Sequence, residues 1–186
     1  LAAEQRGRVE VLEYEASDPA APDRLKAALR DTPIDLLLAN AGALGGKAQS
    51  FGSVDVDSLL ELVRVNALAP LKLAEVLADN VARSERRLMA FQSRLMGSVG
   101  DNTSGGHYAY RVAKVALNMI AKSLAVDLRP RGVIAVALHP GWVRTRMGGK
   151  GAPVSVEACV AGQQRLLDSL TLADSGRFLN FDGKEL

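Results

Sequence analysis

Short apolar runs alternate along this chain with longer segments of helical periodicity, and this alternation restricts the fold more than any other feature. Residues 133–138 are apolar on consecutive positions, and residues 34–38 are apolar apart from Asp35, which is typical of strands covered on both faces of a sheet. Residues 108–128 instead carry apolar side chains at intervals of three and four, which predicts a helix. Strands that alternate with helices in this way favour a doubly wound α/β fold with a parallel sheet.

The same pattern predicts the other elements. The predicted strands cover residues 9–14, 34–38, 87–91, 133–138 and 176–181, and the predicted helices cover residues 22–30, 57–65, 67–81 and 108–128. Asp57 is expected to be the N-cap of the second helix. With no repeat or linker, residues 1–186 are expected to form a single domain, which is long enough for a real core.

Composition excludes several classes of protein. The formal net charge is +2, with acids and bases interleaved, so no basic block argues for nucleic acid or a membrane surface. The apolar runs are too short to span a bilayer. Two separated His residues and one Cys make no convincing metal site. Because Cys159 is the single cysteine, an internal disulfide is impossible, which favours a reducing cytoplasm.

Tyr110 and Lys114 lie four positions apart in a predicted helix, so their side chains share one face. A nearby ammonium lowers the pKa of a tyrosine from about 10 toward neutral pH, which makes the phenol a usable general acid or base. The chain has three Tyr residues, and a Tyr–Lys spacing of this kind also arises by chance. Both interpretations stay open for the pair alone.

Three further motifs lie at ends of predicted elements. The segments 40–42 (NAG) and 139–145 (HPGWVRT) each follow a strand, and in open parallel sheets ligands bind at the carboxyl ends of the strands. The first is also compatible with a simple Asn/Gly turn. Asn66 lies at the junction of two helices, where it could hold a water in a proton relay or only satisfy backbone groups. A lone His139 before proline has no assigned role.

Together these segments resemble the short-chain dehydrogenase/reductase family. The similarity rests on NAG at 40–42, VNALAP at 65–70, YRVAK at 110–114 and PGWVRT at 140–145, in family order. The stretches DNTSGGHYAYRVAKVALN at 101–118 and SGRFLNFDG at 175–183 are most similar to C-factor-like short-chain reductases. The resemblance extends over essentially the whole chain.

The resemblance implies a seven-stranded Rossmann-like sheet, NAD or NADP as cofactor, and interconversion of a carbonyl and a secondary alcohol. Tyr110 would exchange a proton with the substrate oxygen, Lys114 would lower the pKa of Tyr110 and bind the nicotinamide ribose, and Asn66 would hold the relay water. The residues implied to contact the cofactor are Asn40, Ala41, Gly42, Tyr110, Lys114, Pro140, Gly141, Val143 and Thr145. The family often assembles as homodimers or homotetramers through helices that correspond to 67–81 and 108–128.

Two departures from the family pattern yield further expectations. No Gly-rich nucleotide-binding turn precedes residues 9–14, so the chain is expected to lack its first βαβ unit, roughly 40–50 residues. In addition, ungapped alignment places Arg94 where the family has a catalytic serine, which holds the substrate oxygen. A shift of one residue turns a strand side chain to the opposite face. Ser93 is the preferred catalytic hydroxyl, brought into the site by a local bulge.

The main functional prediction is an NAD(P)-dependent oxidoreductase that acts on a small molecule. The alternative is a non-catalytic signalling or interaction protein built on the same fold, motivated by the absent nucleotide-binding turn and by Arg94. Residues 146–165 are expected to form the substrate loop and lid, with glycines as flexible points. The sequence identifies neither the substrate nor the choice between NAD and NADP.

Overall fold

Four parallel strands form the centre of the protein, with helices packed on both faces of the sheet. The computed structural model describes residues 9–186, and its strands are β1 (Leu36–Ala39), β2 (Leu88–Gln92), β3 (Ile134–His139) and β4 (Phe178–Asn180). They lie in the order β1-β2-β3-β4, and every neighbouring pair is parallel. This arrangement confirms the predicted α/β fold class. The resemblance implied seven strands, whereas the described part of the chain contains four.

Five α-helices connect and cover the strands. They are α1 (Ala21–Leu29), α2 (Val56–Val63), α3 (Ala69–Ala82), α4 (Tyr108–Asp127) and α5 (Val156–Ser169). The predicted break between residues 65 and 67 is not a break, because a π-helical turn, Arg64–Leu68, continues the backbone from α2 into α3. Asp55 rather than Asp57 caps α2, since its carboxylate accepts a 3.1 Å hydrogen bond from the backbone N–H of Ser58.

The sheet separates two apolar clusters, and strand β2 shows which side chains face each one. Met89 and Phe91 are fully buried in the cluster that also contains side chains of α3 and α4. Leu88 and Ala90 point the other way and pack in the cluster that contains Leu167 of α5. Successive residues of a strand face opposite sides of the sheet, so β2 has an α4 side and an α5 side.

The prediction of a strand at residues 9–14 is wrong. This segment has no regular secondary structure, and Val9 and Val11 are 47% and 76% exposed. Strand β1 is the end strand of the described sheet, so no described strand lies beside it to pair with residues 9–14. An apolar segment without a ladder partner cannot satisfy its backbone as a strand does. The expectation of an incomplete N-terminus concerns residues outside the described range.

None of the helices in residues 9–186 combines the length and the apolar character needed to cross a membrane.

Candidate active site

A cavity of about 730 Å³ extends from the carboxyl ends of β1, β2 and β3 along the α5 face of the sheet as far as Leu36 and Arg86, and helices α4 and α5 border it. This volume lies within the range of small-molecule sites. The predicted site residues that line it are Asn40, Gly42, Ser93, Tyr110, Lys114, Pro140, Val143 and Thr145. Three predicted site residues, Ala41, Asn66 and Gly141, are not part of its lining. The tertiary structure therefore brings segments from four separate parts of the chain to one space.

Tyr110 and Lys114 occupy the first turns of α4, and both side chains are buried. The Nζ atom of Lys114 lies 5.9 Å from the centre of the Tyr110 ring. The same Nζ atom donates a 2.8 Å hydrogen bond to the backbone carbonyl of Gln92 at the end of β2. Lys114 thus joins helix α4 to the sheet edge, and the four-residue spacing places both side chains in the cavity, as predicted.

Gln49 holds the start of α4 in place. His107, the residue before the helix, gives no side-chain cap, and Gln49 replaces it by accepting from two backbone N–H groups. The backbone carbonyl oxygen of Gln49 accepts a 3.0 Å hydrogen bond from the backbone N–H of Tyr108, and its side-chain Oε1 accepts a 2.9 Å hydrogen bond from the backbone N–H of Tyr110. Its Nε2 donates to the carbonyls of Leu44 and Gly46. This buried side chain therefore links the loop after β1 to the helix that carries the tyrosine.

Gly97 allows the turn after β2 to approach α4 closely. A Cβ atom added at Gly97 would lie 2.9 Å from the backbone carbonyl oxygen of Lys114 and 3.0 Å from Nδ2 of Asn118. The Nδ2 of Asn118 also donates a 3.1 Å hydrogen bond to the Gly97 carbonyl. Since the absence of a side chain permits this contact, the glycine fixes the distance between the end of β2 and Lys114.

Asn66 supports the motif that follows β1. Its Oδ1 accepts from the backbone N–H of Ala43 at 2.8 Å, and its Nδ2 donates to the Ala43 carbonyl at 2.9 Å. Asn66 is fully buried in the π-helical turn, a structure that is frequent at functional sites. Its side chain therefore satisfies backbone groups, which is one of the two roles expected for it. A Cβ added at Gly42 would lie 2.8 Å from its Oδ1 and 3.7 Å from Nζ of Lys114.

Ser93 faces the same side of the sheet as Tyr110 and Lys114. Its backbone N–H donates a 2.7 Å hydrogen bond to the Leu138 carbonyl, which continues the ladder between β2 and β3. Because side chains alternate, Ser93 follows Met89 and Phe91 onto the α4 side. The regular ladder brings it to the cavity, so the predicted bulge is not needed. Its Oγ is buried and has no hydrogen-bond partner among the described residues.

Arg94 takes the opposite direction. Its backbone is extended, with φ −149° and ψ 153°, and its side chain lines the cavity from the α5 side. Nη1 donates a 3.2 Å hydrogen bond to the backbone carbonyl of Gly141. Ungapped alignment matches Arg94 to the family serine in sequence, whereas strand alternation places Ser93, and not Arg94, on the α4 side.

Burial is the largest influence on the pKa values of the ionisable side chains around the cavity. Burial, with a smaller contribution from the positive charge of Arg94, lowers the pKa of Lys114 to about 8. Burial raises the pKa of Tyr110, and Arg94 opposes that rise. The Arg94 guanidinium thus acts on the phenol, beside the Lys114 ammonium that the sequence spacing indicated and whose Nζ lies 5.9 Å from the ring centre. Burial also lowers the pKa of His139 to about 4, so this imidazole is neutral at pH 7.

The predicted loop and lid segment, residues 146–165, borders the cavity. Its first part is an irregular loop closed by a bridge between Val143 and Val154, and its second part belongs to α5. Its cavity-lining members are Met147, Val156, Cys159, Val160, Gln163 and Gln164. The sequence predicted this segment as a whole but none of its lining residues individually.

The sequence predictions also missed Gln49, since a loop glutamine belongs to no motif.

Within residues 9–186, no group of three or more His, Cys, Asp or Glu side chains is arranged to hold a metal ion.

Comparison with known proteins shows what this arrangement is similar to. Residues 1–178 match the family model described as enoyl-(acyl carrier protein) reductase. The C-signal protein of Myxococcus xanthus is 40% identical over 154 residues, which cover 83% of this chain and 92% of that protein. The 1-hydroxy-2-glutathionyl-2-methyl-3-butene dehydrogenase of Rhodococcus sp. (strain AD45) is 36% identical over 136 residues, 71% of this chain but 59% of that enzyme.

Solved structures give the same result. The carbonyl reductase Sniffer of D. melanogaster superposes with a TM-score of 0.92 at 32% identity, covering 99% of this chain and 80% of that one. The NADPH-bound carbonyl reductase from chicken fatty liver superposes with a TM-score of 0.89 at 29% identity, covering 99% and 79%. The match over nearly the whole chain, in sequence and in fold, shows that the protein belongs to the short-chain dehydrogenase/reductase family of oxidoreductases, in its C-factor-like group.

Proposed function

We propose that the protein interconverts a carbonyl and a secondary alcohol in the cavity at the sheet edge, with NAD or NADP as cofactor. The observation that carries this proposal is that Ser93, Tyr110 and Lys114, which are distant from one another or from the sheet edge in sequence, all line this one cavity. The names of its relatives, dehydrogenases and carbonyl reductases, support an enzyme. They do not favour the alternative of a non-catalytic signalling or interaction protein.

The residues present fit the nicotinamide end of the dinucleotide. The segment 40–42 is exposed at the end of β1, and Gly42 lets this segment pack against Asn66, since an added Cβ would lie 2.8 Å from its Oδ1. On the other side, Pro140, Gly141, Val143 and Thr145 follow β3 and would flank the nicotinamide. When bound, the cofactor supplies or accepts the hydride, and the protein supplies orientation and proton transfer.

In this proposal the Tyr110 hydroxyl exchanges the proton with the substrate oxygen, and Ser93 donates a hydrogen bond to that oxygen. The Ser93 hydroxyl suits this role because it is buried without a partner among residues 9–186. The positive charges of Lys114 and Arg94 stabilise the phenolate that proton donation leaves. Oδ1 and Nδ2 of Asn66 each make one hydrogen bond to Ala43, so a relay water would share the side-chain amide with this loop or bind the Asn66 backbone carbonyl.

The test compares Tyr110→Phe with Tyr108→Phe, a half-exposed tyrosine of the same helix turn. NADH and NADPH binding is first measured by calorimetry, and reduction of benzaldehyde is then followed with whichever cofactor binds. We expect Tyr110→Phe to lower kcat by about 100-fold or more without weakening cofactor binding, and Tyr108→Phe to retain activity. Retained turnover in Tyr110→Phe would remove the proposed acid–base role.

We further propose that the protein self-associates through α4, as a dimer or tetramer. Val112, Met119 and Val126 are spaced seven apart and are 45%, 63% and 63% exposed, which gives the helix an apolar outer stripe. Met119→Glu should shift the protein to the monomer in analytical ultracentrifugation, and an unchanged mass would contradict self-association through this face of α4.

We also propose that residues 146–165 act as the substrate lid and that the enzyme acts in the cytoplasm on a small-molecule substrate.

A further inference from the structure

Arg94 carries a charge that no acidic side chain in the described part of the chain neutralises. The ion pairs of residues 9–186 do not include it, and its hydrogen bond to the Gly141 carbonyl uses one of its five N–H donors. Arg86, which lines the same cavity, is different. It donates to the Leu167 carbonyl at 2.9 Å and pairs with Asp168 at 3.0 Å.

The cavity is therefore positively charged around the proposed proton-transfer residues Ser93, Tyr110 and Lys114. The charged residues that line it are Arg86, Arg94, Lys114 and Asp168. Since Arg86 and Asp168 form a pair, Arg94 and Lys114 remain without an acidic partner on the cavity wall. A buried or half-buried cation without a partner is unfavourable, and a bound anion removes much of that cost.

Arg94 borders the proposed proton-transfer residues without sharing their side of the strand. By strand alternation Ser93 faces the α4 side and Arg94 the α5 side, where its charge acts on Cys159 as well as on Tyr110 and Lys114. A ligand whose oxygen meets Ser93 and Tyr110 would extend toward Arg94 on the α5 side. A guanidinium presents parallel N–H groups that match a carboxylate in two hydrogen bonds.

We propose that Arg94 binds an anionic group, a carboxylate, on the substrate, and that the enzyme prefers carbonyl compounds that carry a carboxylate beyond the reacting carbon. This inference rests on the proposed function and names the substrate class of the same cavity. The cofactor also contains anionic groups, its phosphates, and the Arg94 guanidinium contacts the loop that would flank the nicotinamide. The experiment therefore separates substrate from cofactor as the source of the anion.

The first measurement compares para-carboxybenzaldehyde with para-methylbenzaldehyde, which have similar shapes but differ in charge. The ratio of their kcat/KM values is determined for the wild type, for Arg94→Met and for the matched control Arg86→Met. We expect the ratio to favour the carboxylate in the wild type and to fall by about tenfold or more in Arg94→Met, with little change in Arg86→Met. Effects shared by both substrates cancel in this ratio.

The second measurement needs no turnover, so it still decides the matter if the proposed reaction fails. Benzoate and benzamide are titrated into each folded protein by calorimetry, with and without NADPH. We expect Arg94→Met to weaken benzoate binding by about tenfold relative to benzamide. An unchanged benzoate-to-benzamide ratio, or a folded wild type that binds no benzoate, would overturn the proposal. Weakened NADPH binding with unchanged ratios would also overturn it, because Arg94 would then bind the cofactor phosphates.

Discussion

The Oε1 atom of Gln49 accepts a 2.9 Å hydrogen bond from the backbone N–H of Tyr110, although 61 positions separate the two residues. The first N–H groups of a helix have no partner within the helix, and Gln49 satisfies two of them in α4. The proposed acid–base residue is therefore positioned by a loop side chain that takes no part in the chemistry.

Replacing Gln49 should destabilise the fold. Gln49→Ala leaves the Tyr110 N–H and two loop carbonyls without their partner, which should lower the free energy of unfolding by about 2–3 kcal/mol. Urea denaturation measures this change. Gln164→Ala, at an exposed position of α5, is the control and should have little effect. A wild-type unfolding curve for Gln49→Ala would show that the cap contributes nothing.

A methyl group at Gly42 should weaken cofactor binding. The Cβ of Gly42→Ala would lie 2.8 Å from Oδ1 of Asn66, so either Asn66 loses its hydrogen bond to Ala43 or the loop moves. We expect the Kd for NADPH to rise by about tenfold or more. Gly46→Ala is a matched control in the same loop, because no atom lies within 4 Å of its added Cβ and its φ is not positive. Equal Kd values in the two variants would contradict the role of this contact.

Loss of the Ser93 hydroxyl should affect activity and stability in opposite ways. Removing a donor to the substrate oxygen should lower kcat by about 100-fold or more. Because the buried Oγ has no partner among the described residues, Ser93→Ala should unfold at the same or a higher temperature. Ser98→Ala, in the turn that follows, serves as the control for kcat. A lower Tm with full activity in Ser93→Ala would indicate a structural hydroxyl instead.

The buried Lys114 should make stability rise at alkaline pH. Its pKa in the folded protein is about 8, below the ordinary 10.5, so the folded state loses this proton first as the pH rises. Below pH 8 both states carry the charge, and burial of the ammonium costs the folded state about 3 kcal/mol. Between pH 8 and 10.5 this cost disappears, so the Lys114 contribution to stability increases with pH.

The measurement is the free energy of unfolding of wild type and Lys114→Met at steps from about pH 7 to 10. The difference between the two proteins isolates Lys114 from other titrating groups. We expect Lys114→Met to be the more stable of the two at the lower end, with the advantage shrinking as the pH rises. A difference that is constant with pH would mean that the pKa of Lys114 is not lowered.

Much of the fold could be read from local pattern. The apolar runs at 34–38, 87–91 and 133–138 predicted strands that differ from the observed ones by one or two residues at their ends, a usual uncertainty. Residues 9–14 had the same kind of pattern and form no strand, because a ladder needs a neighbour that the described sheet does not provide. Apolar patterning reports which residues favour burial, but pairing depends on distant segments.

The candidate site divides in the same way. The four-residue spacing of Tyr110 and Lys114 sufficed to place them on one face, since helix geometry is local. The choice between Ser93 and Arg94 could not be made from local geometry alone. Both are near the end of β2, and which of them faces Tyr110 depends on the side of the sheet against which α4 packs. Ungapped alignment placed Arg94 at the position of the family serine, and the prediction of Ser93 needed a bulge, whereas the regular strand alternation brings Ser93 to the α4 side without one.

The sequence by itself determined the α/β class, the family and the chemical types present at the sheet edge, because periodicity and short motifs are properties of neighbouring residues. Only the tertiary structure decided that Gln49 caps α4, that Asn66 binds Ala43, and that the Arg94 guanidinium adds a second positive charge near the phenol. These features depend on burial and on hydrogen bonds between segments far apart in the chain. Such contacts exist only once the helices have packed on the sheet.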